Sequence, residues 1–220
     1  MITMLKMYVD SAQRDEVEPL LDTGLFHGVT TNPTLLERAE IGLSDFGQLY
    51  SWATTAGAGE VFFQAWGITS NEITDNGMRL REIGDRVVVK VPATKFGQAA
   101  AATLGWQGVP VLLTAVYNAT QVLPAIAAGC KYIAPYLGRM RDAGRDGDAE
   151  ILAMQQVLNS HGEGTELLVA SLRSITDVLN LAKQGVSGFA VNPTVLAEMW
   201  QEKLTDEATQ VFEEAARRAL

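Results

Sequence analysis

The sequence predicts one α/β domain over residues 1–220: a (β/α)8, or TIM, barrel with an additional amphipathic helix at residues 204–220. Three observations predict it, namely the length of 220 residues, eight short strand-like runs, and a helical pattern after each run. Strands that alternate with helices are typical of a parallel sheet, and eight such units close most naturally into a barrel. The alternative is an open, doubly wound sheet, which normally begins with the Gly-rich turn G-x-G-x-x-G. That pattern is absent from the sequence.

The predicted strands are short runs rich in Val, Ile, Leu, Phe and Tyr, and most of them are apolar throughout. Such runs indicate strands covered on both faces. The predicted strands are residues 5–9, 28–31, 60–65, 86–91, 110–114, 132–135, 166–170 and 187–191. Helical patterns follow at residues 14–21, 33–39 with 46–54, 71–83, 96–106, 119–127, 149–159, 175–183 and 193–201. The acidic, Gly-containing residues 142–150 predict a solvated loop rather than a calcium site, because they lack the EF-hand order of ligands.

Two strand-to-helix junctions have nearly the same sequence, GVTTNPTLL at residues 28–36 and GFAVNPTVL at residues 188–196. In each junction an Asn can cap the free amides of the following helix, and Pro fits the first helical turn. Shared junction geometry is the preferred explanation of the repeat. Asn32 nevertheless lies at the C-terminal end of a strand, where barrel enzymes assemble their catalytic groups.

The last segment of the chain predicts an amphipathic helix. Its apolar residues fall on one helical stripe and its charged residues lie elsewhere. The stripe consists of Ala208, Val211, Phe212, Ala215, Ala216 and Ala219. Two interpretations stay open: a helix packed on its own barrel, or a helix laid on a neighbouring subunit.

Composition excludes several classes of protein. The formal net charge is −9, from 17 Lys and Arg against 26 Asp and Glu, so without a basic run no nucleic-acid partner is expected. Two His and one Cys give no usual zinc spacing, and we expect no metal. A transmembrane helix needs about 20 apolar residues, and no apolar run approaches that length, so no membrane partner is expected. The single Cys and the lack of a leader pattern in residues 1–10 predict a cytoplasmic protein.

Lys90 is the most informative residue because it interrupts an apolar run, VVVKVP at residues 87–92. Burial in a central strand would disfavour its ammonium form, lower its pKa and make a neutral, nucleophilic amine accessible. Such an amine can attack a carbonyl to form a Schiff base, which activates the adjacent carbon–carbon bond. The structural alternative is a lysine at the strand mouth that extends to solvent or pairs with a carboxylate.

Polar residues at the ends of other predicted strands favour the chemical interpretation. Any one of them could be a helix cap, but imine chemistry needs a group to orient hydroxyls and a proton shuttle close to the lysine. These residues are Asp10, Asn32, Gln64, Thr114, Tyr136 and Ser171.

The chain resembles the transaldolase family, and more narrowly its fructose-6-phosphate aldolase-like branch, through motifs that occur in order along nearly its whole length. They are YVD at 8–10, GVTTNP at 28–33, VVKVP at 88–92, LTAVY at 113–117, APY at 134–136 with Arg139, and AS at 170–171. The resemblance implies a class I aldolase on a barrel, with Lys90 as the Schiff-base lysine and with no metal or organic cofactor.

The resemblance also implies roles for individual residues. Asp10 matches a carboxylate beside the lysine that binds substrate hydroxyls, and Asn32, with Thr30 in the same motif, matches the donor-binding residues. Thr114 and Gln64 resemble the pair that positions a water for proton transfer. The acceptor phosphate is implied to bind a further set of residues, which consists of Arg139, Ser171 and Arg173.

Two positions favour the aldolase branch, because it carries Gln and Tyr where this sequence has Gln64 and Tyr136, whereas transaldolases usually carry Glu and Phe. A phenol near the imine can protonate and release the donor enamine, which favours simple cleavage over group transfer. Arg173 departs from this pattern, since the aldolase branch is associated with Lys there.

We therefore expect a reversible class I aldolase that joins dihydroxyacetone or hydroxyacetone to glyceraldehyde 3-phosphate, giving fructose 6-phosphate or a related ketose. One alternative is a transaldolase that moves a dihydroxyacetone unit between sugar phosphates. An alternative of another class is a non-catalytic sugar-phosphate-binding barrel. The resemblance implies small sugar phosphates as binding partners and a ring-like homo-oligomer, with a decamer as one candidate size.

Overall fold

The protein is described by a computed structural model over residues 4–219, so residues 1–3 and Leu220 of the predicted domain lie outside the described residues. Eight parallel strands form one sheet in the order β7-β6-β5-β4-β3-β2-β1-β8. A bridge between Val169 and Phe189 joins the two ends of that order and brings the sheet close to a closed barrel. The strands are β1 Lys6–Asp10, β2 Gly28–Thr30, β3 Glu60–Gln64, β4 Val87–Pro92, β5 Val111–Val116, β6 Tyr132–Pro135, β7 Glu166–Leu167 and β8 Gly188–Val191. The predicted (β/α)8 class is confirmed.

Helices follow the strands and cover the outside of the barrel. They are α1 Arg14–Leu21, α2 Pro33–Arg38, α3 Phe46–Thr55, α4 Ser70–Arg81, α5 Lys95–Trp106, α6 Val122–Ala127, α7 Leu137–Asp142, α8 Gly147–His161, α9 Ile175–Ala182, α10 Pro193–Leu196 and α11 Lys203–Ala219. Most start at a side-chain cap; Thr69, for example, accepts from the Glu72 amide at 3.2 Å at the start of α4. Within residues 4–219, no helix has both the length and the apolar character needed to span a bilayer.

The predicted loop at residues 142–150 is wrong for most of its length. Only residues 143–146 separate two helices, α7 and α8. Asp146 caps α8 by accepting from the Ala149 amide at 3.0 Å, and Asp148 and Glu150 lie in the first turn. Carboxylates at a helix N-terminus are stabilised by its free amides. The acidic character that suggested a solvated loop therefore belongs to a helix start.

The strands separate an inner and an outer apolar layer because successive side chains point to opposite faces. The inner layer consists of Tyr8, Phe62, Val88, Leu112, Tyr132, Ala134, Leu168 and Ala190. Residues that follow a member of this layer by two positions also point inward, because side chains alternate along a strand. They form a second inner layer, nearer the C-terminal ends of the strands. That set is Asp10, Gln64, Lys90, Thr114, Tyr136, Ala170 and Asn192. Alternation thus places the polar residues together.

A buried carboxylate network closes the opposite, N-terminal end of the barrel. The Glu60 carboxylate accepts from the hydroxyls of Tyr8 at 2.6 Å and Tyr132 at 2.9 Å, and from the Lys131 ammonium at 2.7 Å. Burial disfavours the Glu60 charge, but the hydrogen bonds from Lys131, Tyr8 and Tyr132 outweigh it and lower the pKa of the carboxyl group. Burial, together with Glu60, raises the pKa of both phenols, which stay protonated as donors.

The predicted C-terminal helix is present as α11, and none of its described residues is buried. Leu204, Val211 and Phe212 are all exposed on it. The apolar stripe of residues 203–219 is therefore not packed against its own barrel, so the first of the two interpretations is wrong.

Removal of one donor from the Glu60 network should destabilise the fold. We expect Tyr132→Phe to lower the free energy of unfolding by about 1–3 kcal/mol, because a buried charged acceptor loses a hydrogen bond. Tyr50→Phe is the matched control: its hydroxyl donates to Asp85 at an exposed site, and a change within about 0.5 kcal/mol is expected. Urea unfolding of both variants measures the difference, and equal effects would contradict a stabilising role for the network.

Candidate active site

A cavity of about 250 Å³ opens at the C-terminal ends of the strands. Barrel enzymes assemble their active sites at this end. Most of the predicted site residues line it, and they lie on or after five different strands, β1, β2, β4, β6 and β7. They are Asp10, Thr30, Asn32, Lys90, Tyr136, Arg139 and Ser171.

Lys90 lies on β4 and is only 5% exposed, although it lines the cavity. Its Nζ donates to the Thr31 carbonyl oxygen at 2.7 Å. Burial lowers the pKa of Lys90, and the negative charge of Asp10 opposes that shift in part. The predicted burial of the amine is therefore confirmed, and the structural alternative of a lysine that extends to solvent is wrong. A buried amine with a lowered pKa is suited to nucleophilic attack on a carbonyl.

Asp10 ends β1 and is held by the neighbouring strand. The buried Thr30 hydroxyl donates to Asp10 Oδ1 at 2.5 Å, and Asp10 and Thr30 are register partners between β1 and β2. This bond fixes the carboxylate on the β2 side of its strand. The carboxylate is thus oriented at the cavity wall and acts electrostatically on Lys90.

Tyr136 and Thr114 form a hydroxyl pair beside the cavity. Their oxygens are 2.9 Å apart, and Thr114 is almost fully buried. The register of β5 shifts between Leu113 and Val116, where Ala115 takes a φ of 58°; this bulge ends regular pairing next to Thr114. Burial raises the pKa of Tyr136, so its phenol is protonated at neutral pH. A protonated phenol can donate a proton into the cavity.

Arg139 and Ser171 occupy the β6–β7 side of the cavity. The Arg139 guanidinium stacks over the Tyr136 ring at 5.1 Å from its centroid. Ser171 has a φ of 58°, a conformation that is strained for a serine. Its carbonyl accepts from the Gly138 amide at 2.8 Å, and a Cβ at residue 138 would meet that oxygen at 2.5 Å. Glycine therefore permits the close approach that brings Ser171 beside Arg139.

The structure separates three predicted residues from the cavity wall. Thr114 is hydrogen-bonded to Tyr136 but does not itself line the cavity, and Gln64 is also absent from the wall although it pairs in register with Lys90. The Arg173 guanidinium is exposed and forms an ion pair with Asp142. In this arrangement Arg139 is the predicted guanidinium that faces the cavity.

Three polar residues that sequence reasoning did not assign also line the cavity: Thr34 in the first turn of α2, Arg38 in its last turn, and Asn192, which follows β8. The repeated Asn-Pro junction and the inward parity of residue 192 were available signals for Asn192. No pattern in the sequence distinguishes Arg38. Its guanidinium adds positive charge at a cavity whose charged lining residues are Arg38, Lys90, Arg139 and Asp10. The cavity thus suits an anionic ligand in a chain of net charge −9.

Among the described residues, no three His, Cys, Asp or Glu side chains are grouped so that they could hold a metal ion. Cys130 is buried, and burial raises the pKa of its thiol to about 12. It is therefore an inert core residue and not a nucleophile.

Comparison with known proteins identifies relatives over nearly the whole chain. The family model described as "Transaldolase/Fructose-6-phosphate aldolase" matches residues 7–220. A "Probable transaldolase" of Nitrosopumilus maritimus is 35% identical over 202 residues, which cover 91% of this chain and 90% of the relative. A protein of the same name from Hydrogenobaculum sp. is 32% identical, over 92% of this chain and 92% of the relative. Another, from Methanococcus maripaludis, is also 32% identical, over 94% of this chain and 95% of the relative.

Solved structures show the same fold at low sequence identity. A mandelate oxidase mutant matches with a TM-score of 0.59 at 18% identity, over 86% of this chain and 65% of that chain. A flavocytochrome b2 mutant matches with a TM-score of 0.58 at 14% identity, over 86% of this chain and 56% of that chain. At such identity these matches support the barrel fold alone.

Proposed function

The chain belongs to the transaldolase/fructose-6-phosphate aldolase family, and from this premise we propose that it is a class I aldolase whose Schiff base forms on Lys90. The proposed reaction is the reversible cleavage of fructose 6-phosphate, or a related ketose phosphate, into dihydroxyacetone or hydroxyacetone and glyceraldehyde 3-phosphate. The observation that carries the proposal is a buried lysine that nonetheless lines a cavity at the C-terminal end of the barrel.

Cleavage begins when the neutral Lys90 amine attacks the ketone carbon at C2. Loss of water from the resulting carbinolamine gives a protonated imine, which is the electron sink for the next step. Asp10 accepts the proton of the C4 hydroxyl, the C3–C4 bond breaks, and its electron pair forms an enamine while the aldehyde leaves. Protonation of the enamine at C3 and addition of water to the imine then release dihydroxyacetone and restore the amine.

Tyr136 is the proposed proton donor for these last steps. Its phenol is protonated, and a hydrogen bond with the Thr114 hydroxyl, 2.9 Å between the oxygens, orients it. In the proposal, Thr114 and Gln64 help to position the water that exchanges protons during imine formation and hydrolysis; neither lines the cavity, and Thr114 acts through its hydrogen bond with Tyr136. Asn32 and Thr30 bind the donor hydroxyls on the β2 side.

Arg139 and Ser171 are the proposed phosphate contacts for the acceptor end, because both line the cavity. Arg173 would join them only if its side chain left Asp142, with which it forms an exposed ion pair. Exposed ion pairs contribute about 0–1 kcal/mol, so a phosphate dianion can compete for this guanidinium.

A transaldolase is the second candidate, and two observations favour it: the related proteins are named probable transaldolases, and Arg173 departs from the aldolase pattern. We place simple aldol cleavage first because Tyr136 supplies a proton to the enamine, which lets the ketone leave without a second aldose.

The substrates of either enzyme are sugar phosphates. A cytoplasmic location is also part of the proposal, and fractionation of cells that express the protein tests that location.

Borohydride trapping tests the Schiff base and separates the enzyme from a non-catalytic binder. With fructose 6-phosphate present, we expect a reduced covalent adduct on the peptide that contains Lys90, because borohydride reduces the imine. Lys90→Met should abolish the adduct, whereas the exposed Lys95→Met is the matched control and should keep it. Peptide mass spectrometry locates the adduct. Its absence from the unaltered protein would overturn the proposed function.

Tyr136→Phe tests the proton donor. We expect the variant to lose release of glyceraldehyde 3-phosphate from fructose 6-phosphate alone by about 100-fold, the lower end of a general acid contribution. Transfer to added erythrose 4-phosphate should persist or rise, because the aldose captures the enamine directly. The remote Tyr50→Phe serves as control. Equal loss of cleavage and transfer in Tyr136→Phe would contradict the assigned role.

We also infer that α11 contacts a neighbouring subunit of a homo-oligomer, because its apolar stripe is exposed and its described residues are not buried. Removal of residues 205–220 should lower the assembly mass in sedimentation. Phe212→Asp should do the same, whereas Gln210→Asp, on the opposite face of the helix, should not. An unchanged mass after truncation counts against the contact.

A further inference from the structure

Asn192 is a cavity residue to which the proposed mechanism gives no role. It occupies the second of the two Asn-Pro junctions, directly after β8, and lines the same cavity as Lys90 and Ser171. Helix capping explains why an asparagine stands at such a junction. Capping alone does not explain why the side chain also reaches the cavity.

The strand order fixes where Asn192 lies relative to the lysine. In the order β7-β6-β5-β4-β3-β2-β1-β8, three strands lie between β4 and β8 in either direction once the ends meet. Asn192 therefore stands across the barrel mouth from Lys90. A ketose attached to Lys90 through C2 extends away from β4, so the end that it directs toward β8 is the acceptor-derived end.

Register places Asn192 next to two other residues of the cavity wall. Val9 pairs with Val191, which puts Asn192 level with Asp10 on the adjoining strand. Val169 pairs with Phe189, which puts Ser171 level with Val191 on the other side. Neighbouring strands are about 4.8 Å apart. The amide thus lies within side-chain reach of whatever anion Ser171 contacts, while Thr30 holds the Asp10 carboxylate toward β2, away from β8.

The cap determines which end of the amide is available. Asn192 Oδ1 accepts from the Val195 amide at 3.0 Å, so the oxygen is engaged within the chain. Within residues 4–219, Asn192 Nδ2 donates no hydrogen bond to a protein group, and the residue is half-buried at the cavity wall. The side chain therefore presents two N–H donors to a ligand, while its oxygen is already held by the cap, and this suits a group made of acceptor oxygens.

We propose that Asn192 determines specificity for a phosphorylated acceptor by donating a hydrogen bond to the phosphate that Ser171 and Arg139 also contact. The assignment rests on the proposed function, because it takes Lys90 as the point to which the ketose is attached. A neutral amide adds a directed donor without a further cation, and a phosphate oxygen is the acceptor expected at the far end of the substrate.

Two substitutions remove the N–H donors but keep a capping oxygen: Asn192→Ser and Asn192→Asp. We expect Asn192→Ser to lower the ratio of kcat/KM for glyceraldehyde 3-phosphate to that for glyceraldehyde by about tenfold, because a hydrogen bond to a charged group is lost. Asn192→Asp should lower the ratio further, since it adds a negative charge beside the phosphate. The change should fall on KM of the phosphorylated acceptor, with KM for dihydroxyacetone unaltered.

Asn118→Ser is the matched control, because Asn118 also caps a helical turn but is absent from the cavity wall. It should leave the ratio unchanged. A ratio unchanged in both Asn192 variants, with trapping by dihydroxyacetone intact at Lys90, would show that Asn192 is a cap only and would overturn this assignment alone. Absence of trapping in the unaltered protein would overturn the proposed function and this assignment with it.

Discussion

The burial of one amine inside the barrel is the constraint on which the site depends. A lysine shielded from water is stable as a cation only if other groups replace its hydration, at a cost of several kcal/mol. Around Lys90 these groups are the Thr31 carbonyl and the charge of Asp10. They compensate for burial in part, so the pKa of the amine falls and its neutral form becomes accessible.

The barrel makes this environment by alternation. Apolar inner residues such as Val88 and Phe62 lie below Lys90, and the buried carboxylate of Glu60 lies at the opposite end of the barrel. The inner layer therefore separates two polar regions with different tasks. Glu60 binds three donors that stabilise its charge, whereas Lys90 has one hydrogen bond and faces a cavity. The same period of two that forms the core also collects Asp10, Thr114 and Tyr136 around the lysine.

Local patterns predicted the fold, and together with the family resemblance they named most of the polar residues that line the cavity. What they missed depends on contacts between distant residues. Apolar runs located all eight strands, but β7 is shorter than predicted because its ladder with β6 ends at Leu167, and Val169 and Ala170 form only isolated bridges, to Phe189 and Tyr136. Helix α7 was missed because its start depends on the approach of Gly138 to Ser171, on another strand. The pairing of Arg173 with Asp142 likewise joins side chains 31 residues apart. The sequence already explained Asn192 as a helix cap, so its second position, at the cavity wall, was not predicted.

The most direct test of the central claim is the pH dependence of Lys90 carbamylation by cyanate, which requires the neutral amine. Peptide mass spectrometry gives the midpoint for that residue alone, in the unaltered protein and in Asp10→Asn. The account predicts a midpoint below the ordinary lysine value of 10.5, and a lower one still in Asp10→Asn, where the charge that opposes the shift is gone. A midpoint at or above the ordinary value, or one unmoved by Asp10→Asn, would contradict it.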